Sequence, residues 1–286
     1  MKQFTLFIIA LFCLIKPLDA FGQAFENELK ILSWNIYMLP SFPMMTGQKA
    51  RAEAIVEVLK ESDYDIIAFQ EAFNKKSVEI LRNGLTEQYP HQVGPVIPPV
   101  KMKASSGLWI LSKVPIEEVQ TIKFVEATSW DKMSQKGAVM VQTTESPYCQ
   151  IVVTHLQSAL DIERNRIRRA QCQHIKDSLI TPNKKDQIPQ ILVGDWNVYA
   201  ESAFNSNSLL SLLGNPISHH RHIKHTYPTE DYSKSEKRWT FDYAFVLPNG
   251  ITDLQLNNQT LSPQHPWKKN RQDLSDHYAL EVEVRW

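Results

Sequence analysis

Ile191-Leu-Val-Gly-Asp195-Trp-Asn197 is the stretch from which the fold is read. Its apolar run Ile191–Val193 has the content of a buried strand, and it stops on a carboxylate and an amide. Strand ends of this kind are where α/β folds gather their active sites. The same signature recurs outward in both directions. Ile151-Val-Val-Thr-His155 ends on an imidazole, Asp65-Ile-Ile-Ala-Phe-Gln-Glu71 on a carboxylate, and Ile31-Leu-Ser-Trp-Asn35 on an amide. Downstream, Phe241-Asp242-Tyr243 opens a strand with a carboxylate, and Ser275-Asp276-His277 stands just before the strand Tyr278–Val284.

Further runs at Leu108–Ser112 and Ala138–Gln142 complete the strand pattern. Helical patterns cover Gln48–Lys60, Ser77–Leu85, Ile162–Leu179 and a short stretch at Ser202–Leu213. Early βα units followed by consecutive strands predict an α/β (α+β) protein with a mixed two-sheet core and helices outside. No repeat or long Gly/Ser linker divides it, so a single domain is expected.

The first residues read differently. A short positive start is followed by the apolar run Phe4–Ile15, long enough for a signal peptide and short for a membrane span. The expectation is a signal peptide over 1–22, a single domain over 23–286, and a secreted or periplasmic destination. The whole chain has formal charge +0, which argues against a protein that lives by gripping nucleic-acid backbone. Cys149 and Cys172 then remain, and their sulfurs could pair in an oxidising compartment or sit apart as small buried hydrophobes.

Each polar strand end has a bland explanation when taken singly: a turn-forming Asn, a solvated Glu, a structural His. The ordered set is far more specific. Asn35, Glu71, His155, Asp195-x-Asn197, Asp242 and Asp276-His277 resemble the endonuclease/exonuclease/phosphatase superfamily with its deoxyribonuclease-I-like fold. Within it, Ser33-Trp-Asn35-Ile-Tyr-Met-Leu39, Ser134-Gln-Lys136-Gly-Ala138, Thr154-His155-Leu-Gln157 and Ser275-Asp276-His277-Tyr278 are similar to bacterial neutral sphingomyelinases. The resemblance implies a four-layer sandwich of two packed mixed sheets flanked by helices. It also implies hydrolysis of a phosphosphingolipid such as sphingomyelin to ceramide and phosphocholine. A secreted nuclease, a phosphatase or a catalytically inactive lipid-binding module are the alternatives.

The chemistry explains the residue types. An anionic phosphodiester must have its charge offset, a water activated and a poor leaving group protonated, work suited to a hard divalent cation among oxygen ligands. By resemblance Glu71 holds that cation with Asn35 beside it; Mg²⁺ is expected, with Mn²⁺ or Co²⁺ possible. His277 is then the general base, with Asp276 fixing its tautomer; Asp195 orients the water, Asn197 donates to a phosphate oxygen, and His155 is oriented by Asp242. Lys136 supplies a second positive charge to the phosphate.

Two further segments bear on the substrate. His219, His220, His222 and His225 lie between Pro216 and Pro228 without apolar period, as a solvated loop does, though His225 precedes a Thr in the manner of the sphingomyelinase branch and borders the expected pocket. Pro40-Ser-Phe-Pro-Met-Met45 and Trp267-Lys-Lys-Asn-Arg271 both flank the expected mouth. An apolar tip beside cations suits peripheral contact with a membrane phospholipid or sphingolipid surface, and places Trp267 among the substrate-binding residues. No nucleic-acid partner and a monomeric state are expected.

Overall fold

The computed structural model describes residues 25–40, 46–95, 105–159, 161–199, 209–218 and 225–286, excluding the Trp130 side chain. The expected signal peptide, most of the Pro40–Met45 segment, most of the Ser202–Leu213 helix and three of the clustered histidines lie outside them. Alternation along the strands decides the architecture. In β1 (Glu28–Met38), Leu29 and Ile31 face one way, while Leu32, Trp34, Ile36 and Met38 face the other, so both faces must be covered.

The first sheet runs β10-β13-β1-β2-β4-β3, where β2 is Ile66–Ala72, β3 His91–Val93, β4 Trp109–Ser112, β10 Gln255–Leu261 and β13 Ala279–Arg285. The second runs β5-β6-β7-β8-β9: Ile116–Lys123, Gly137–Thr143, Gln150–His155, Gln190–Asp195 and Asp242–Leu247. Their inner faces share one apolar core, built from Ile31, Ile66, Val139, Ile151, Val153, Ile191, Val193, Val246 and Val282. Outside the first sheet, α1 (Gln48–Leu59) and α2 (Lys75–Leu85) pack on Trp34, Phe69 and Trp109. Outside the second, α3 (Ile162–Ile175), extended by a π-helical turn over Lys176–Ile180, packs on Val152, Leu192 and Phe245. The four expected layers are present.

Local chemistry sets the helix starts. Asn74 and Asp161 accept from the N–H of Ser77 and Arg164, at 3.0 and 2.9 Å, and so cap α2 and α3. Gly47 precedes α1 at φ 73, and a Cβ there would meet the Trp267 ring at 2.3 Å.

The strands missing from the sequence reading are β3, β5, β10 and the hairpin of β11 (Gln264–Lys268) with β12 (Arg271–Asp273). They are short, or polar on both faces; β10 carries Asn258 and Thr260 beside a lone inward leucine, which hides the period. Cys149 and Cys172 are free and buried on opposite sides of the second sheet, one in the inter-sheet core and one under α3. Burial pushes both thiols up to about 12, and the second of the two readings is the observed one.

Candidate active site

The site follows from strand register. β7 pairs parallel with β8, which sets His155 opposite Asp195, and β8 pairs antiparallel with β9, which sets Asp195 opposite Asp242. Counting back by twos from each gives Val153 and Ile151, Val193 and Ile191, Ala244 and Val246, all in the inter-sheet core. Each inward apolar row therefore terminates on a polar side chain at the same end of the sandwich. Gly194 keeps the row tight: at φ 147, any Cβ would lie 2.1 Å from the Thr154 carbonyl oxygen.

The first sheet contributes from across the gap. Asn35 donates from Nδ2 to Asp195 Oδ2 at 3.1 Å, while its Oδ1 accepts from the Tyr37 N–H. Glu71 ends β2 in the left-handed region at φ 57, uncommon for a residue with a Cβ. Its Oε1 stands 3.9 Å from His155 Nε2, and its Oε2 is buried with no hydrogen-bond partner. Burial raises the Glu71 carboxyl, against the opposing charges of Lys136 and His277.

His277 arrives on the segment before β13 and is held by its backbone. The Trp34 indole donates to its carbonyl at 3.0 Å, and Ser275 Oγ accepts from its N–H while donating to the Asn35 carbonyl at 2.6 Å. Its Nδ1 meets Asp242 Oδ2 at 2.9 Å, leaving Nε2 directed to Asp195 Oδ2 at 3.8 Å. Burial alone would lower the imidazole, but the charges of Asp242, Asp195 and Asp276 outweigh it and raise His277 to about 10. Asp195, buried beside Asp242, is raised to about 6.

The structure brings together nearly all the expected residues and corrects several roles. Asp242, and not Asp276, orients His277. Asp276 is partly exposed and touches only Ser275 with its carboxylate, at 3.4 Å. Burial raises it to about 7, the nearby Glu71 charge adding to this and the His277 charge opposing it. His155 is not oriented by Asp242 either. Its Nε2 accepts from Lys136 Nζ at 2.9 Å and lies 3.4 Å from Asp195 Oδ2, and burial with the Lys136 charge keeps it neutral, well below its usual range. Lys136 and Asn197 converge on the Leu156 carbonyl at 2.9 and 3.2 Å, so both donors stand at one wall of the site.

His225 and Trp267 fall outside this cluster. His225 packs edge-on against Tyr278 at 5.1 Å and lines a separate cleft of about 790 Å³ with Glu230 and Asn258. Trp267 is a packing residue: its ring presses on Gly47, its indole donates to the Asp273 carbonyl at 3.0 Å, and it joins the core under α1. The hairpin tip consists of exposed Lys268, Lys269 and Asn270.

Three participants were not named among the expected site residues, although the His225-Thr226 step pointed to the segment of two of them. Asp131 holds Lys136 at 3.0 Å and takes Gln157 Nε2 and the Ser158 N–H on its other oxygen, both at 2.7 Å. Thr226 Oγ1 accepts from the N–H of Asp242 at 3.2 Å, and the Tyr227 ring lies 4.9 Å from His277. Asp131 sits in a single 3-10 turn and Thr226 and Tyr227 beside an isolated bridge to Trp239, segments too short for periodicity to mark.

Asp195, Asp242 and His277 present ligand atoms within 4.8 Å of one another, a set able to hold a metal ion. The model of the endonuclease/exonuclease/phosphatase family matches residues 32–277, from β1 to His277. The chain belongs to that family. Among relatives, a sphingomyelinase C of Listeria ivanovii is 28% identical, over 91% of this chain and 87% of its own length. Of solved structures, SmcL superposes with a TM-score of 0.79 at 25% identity, covering 91% of this chain and 99% of that one. A Staphylococcus aureus beta toxin variant with bound magnesium ions superposes with a TM-score of 0.77 at 23% identity, covering 90% and 99%. These likenesses confirm the deoxyribonuclease-I-like sandwich.

Proposed function

We propose that this family member is a divalent-cation-dependent phosphodiesterase acting on a phosphosphingolipid of the sphingomyelin type, releasing phosphocholine and ceramide. The observation that carries the chemistry is the buried row Asp195, Asp242 and His277 facing Glu71, whose Oε2 has no hydrogen-bond partner. The lipid class is supported by the relative named sphingomyelinase C and by the Lys136 and His155-Leu-Gln157 details of the sequence.

The residues fit a cation. Glu71 Oε2 is buried without a hydrogen-bond partner, and a buried carboxylate oxygen left without one costs free energy that a cation would relieve. Glu71, with the Asn35 amide oxygen, would hold Mg²⁺, as the beta toxin variant holds magnesium ions. Such an ion offsets the phosphate charge. The remaining work falls to the chain. A water between His277 Nε2 and Asp195 Oδ2 is oriented by the carboxylate and gives its proton to the imidazole. Asp242 keeps the Nδ1 proton in place and stabilises the imidazolium formed. Once their charge is offset by a cation, the carboxylates that raise His277 to about 10 raise it less, bringing it toward the working pH. Asn197 donates to a phosphate oxygen, while Lys136, whose three N–H groups go to His155, Leu156 and Asp131, offsets the phosphate charge from the same wall.

The test is release of phosphocholine from sphingomyelin alongside nicking of plasmid DNA, each with chelator and with Mg²⁺ restored. Lipid cleavage that chelator abolishes and Mg²⁺ restores, with DNA intact, is expected. DNA nicking without lipid cleavage would make the protein a nuclease.

A further inference from the structure

With Trp267 packed against Gly47, the hairpin offers no apolar tip to a bilayer, and the contact must lie elsewhere. Four large apolar side chains are strongly exposed among the described residues: Val125, Met133, Tyr148 and Ile162. Single exposed hydrophobes are ordinary. Their distribution here is not. Tyr148 lies in the β6–β7 turn, at the far end of the sandwich from the site. Val125 at 91%, Met133 at 56% and Ile162 at 90% exposure occupy two segments at the active end.

Those segments are the β5–β6 connection and the first turn of α3. Lys123 pairs with Gly137, and Ala138 with Thr154, so the connection opens at the same end as His155. Hydrogen bonds stitch it to α3: Arg166 Nη2 to Glu126 Oε2 at 2.7 Å, Gln171 Nε2 to the Glu126 carbonyl at 3.0 Å, and Arg164 Nη2 to Ser129 Oγ at 2.7 Å. The connection then ends on Lys136, and Asp131 within it holds that lysine at 3.0 Å. The apolar tips thus rise from the very loops that fix the phosphate-side donors. Around these tips Lys123, Lys132, Arg164, Arg166 and Arg169 stand against Glu126, Asp161 and Glu163, an excess of only two positive charges, so apolar area outweighs charge in what the rim offers a surface.

We propose that Val125, Met133 and Ile162 form a rim that docks the protein on a zwitterionic lipid surface, presenting the site to a headgroup in the same plane. This rests on the lipid-phosphodiesterase reading for its purpose, though not for its measurement. Apolar side chains entering the headgroup boundary hold by area more than by charge.

The experiment is flotation with neutral phosphatidylcholine–sphingomyelin vesicles in the presence of chelator, where binding is read without turnover. The wild type should float with the vesicles, and raising the salt should change this little. The double variant Val125→Asp with Ile162→Asp should bind about tenfold more weakly or worse, as loss of two buried aliphatic side chains implies. With Mg²⁺, its hydrolysis of vesicles should fall alike, while hydrolysis of the soluble bis(p-nitrophenyl) phosphate stays unchanged. Met133→Asp, on the other side of the loop, should show the same pattern in smaller degree, and melting curves identify any variant that fails to fold. Unchanged vesicle binding in folded variants, or a wild type that does not float, overturns the rim. A wild type that floats yet cleaves no lipid leaves the rim standing and removes the proposed substrate.

Discussion

At the scale of single residues, Asp242 Oδ2 takes the Nδ1 proton of His277 at 2.9 Å, and this contact determines which nitrogen faces the water. The sequence showed the family's Asp-His step and suggested that the neighbour in the chain is the neighbour in space. The backbone says otherwise: Ser275 Oγ ties the N–H of His277, and the Asp276 carboxylate accepts from that same hydroxyl and not from the ring. The two carboxylates consequently act on His277 differently, Asp242 by a hydrogen bond and Asp276 by charge alone. Asp242→Asn should lower turnover by about two to four orders of magnitude without unfolding the protein. Combined with His277→Ala, it should add little, because the two act as one unit. Asp276→Asn combined with His277→Ala should instead cost close to the product of the single effects. Steady-state kinetics of the three single and two double variants decide this, and a non-additive Asp276–His277 pair with an additive Asp242–His277 pair would reverse the assignment.

At the scale of elements, what was legible followed the period of two. Ile191, Val193 and Asp195 lie on one face of one strand, so the sequence already placed the carboxylate at the end of an inward row. Asn35, His155 and Asp242 were legible for the same reason. Lys136 was placed by resemblance alone, while Asp131 stands in a short 3-10 turn, Ser129–Lys132, whose partner Ser158 comes from another loop. Trp267 was misjudged because an aromatic beside cations reads alike whether it points out or in. Its neighbour Gly47 is 220 positions away, and nothing local announces the contact. Trp267→Ala should therefore destabilise the protein by about 2–3 kcal/mol and lower Tm by about 5 °C or more. Rates on vesicles and on a soluble diester should change equally. A selective loss on vesicles with an unchanged melting curve would restore the indole to the lipid.

At the scale of the whole molecule, the two sheets hold acidic groups away from water at one end of their shared core. Glu71 is raised, Asp195 is raised to about 6 and Asp276 to about 7, burial being the first cause in each. A carboxyl whose folded pKa exceeds its unfolded value near 3.8 favours the folded state at low pH, and that contribution is lost as pH climbs to about 6–7. His277, raised from 6.5 to about 10, likewise loses its contribution as pH climbs through that interval. In chelator, Tm should therefore rise on going from pH 8 to pH 5. With Mg²⁺ at about a hundred times its Kd, stability at pH 8 should increase by roughly 2.7 kcal/mol and the pH dependence should flatten. A calorimetric scan in which chelator and Mg²⁺ give the same curve would detach the cation from this cluster. The backbone of Glu71 adds its own penalty, since a side-chain-bearing residue at φ 57 sits where glycine is at ease. Breeding this protein for heat resistance alone would thus reward Glu71→Gly, which relieves the backbone and discards a buried charge together. The sturdiest descendants would be the inert ones, and a selection that does not also demand turnover would find them first.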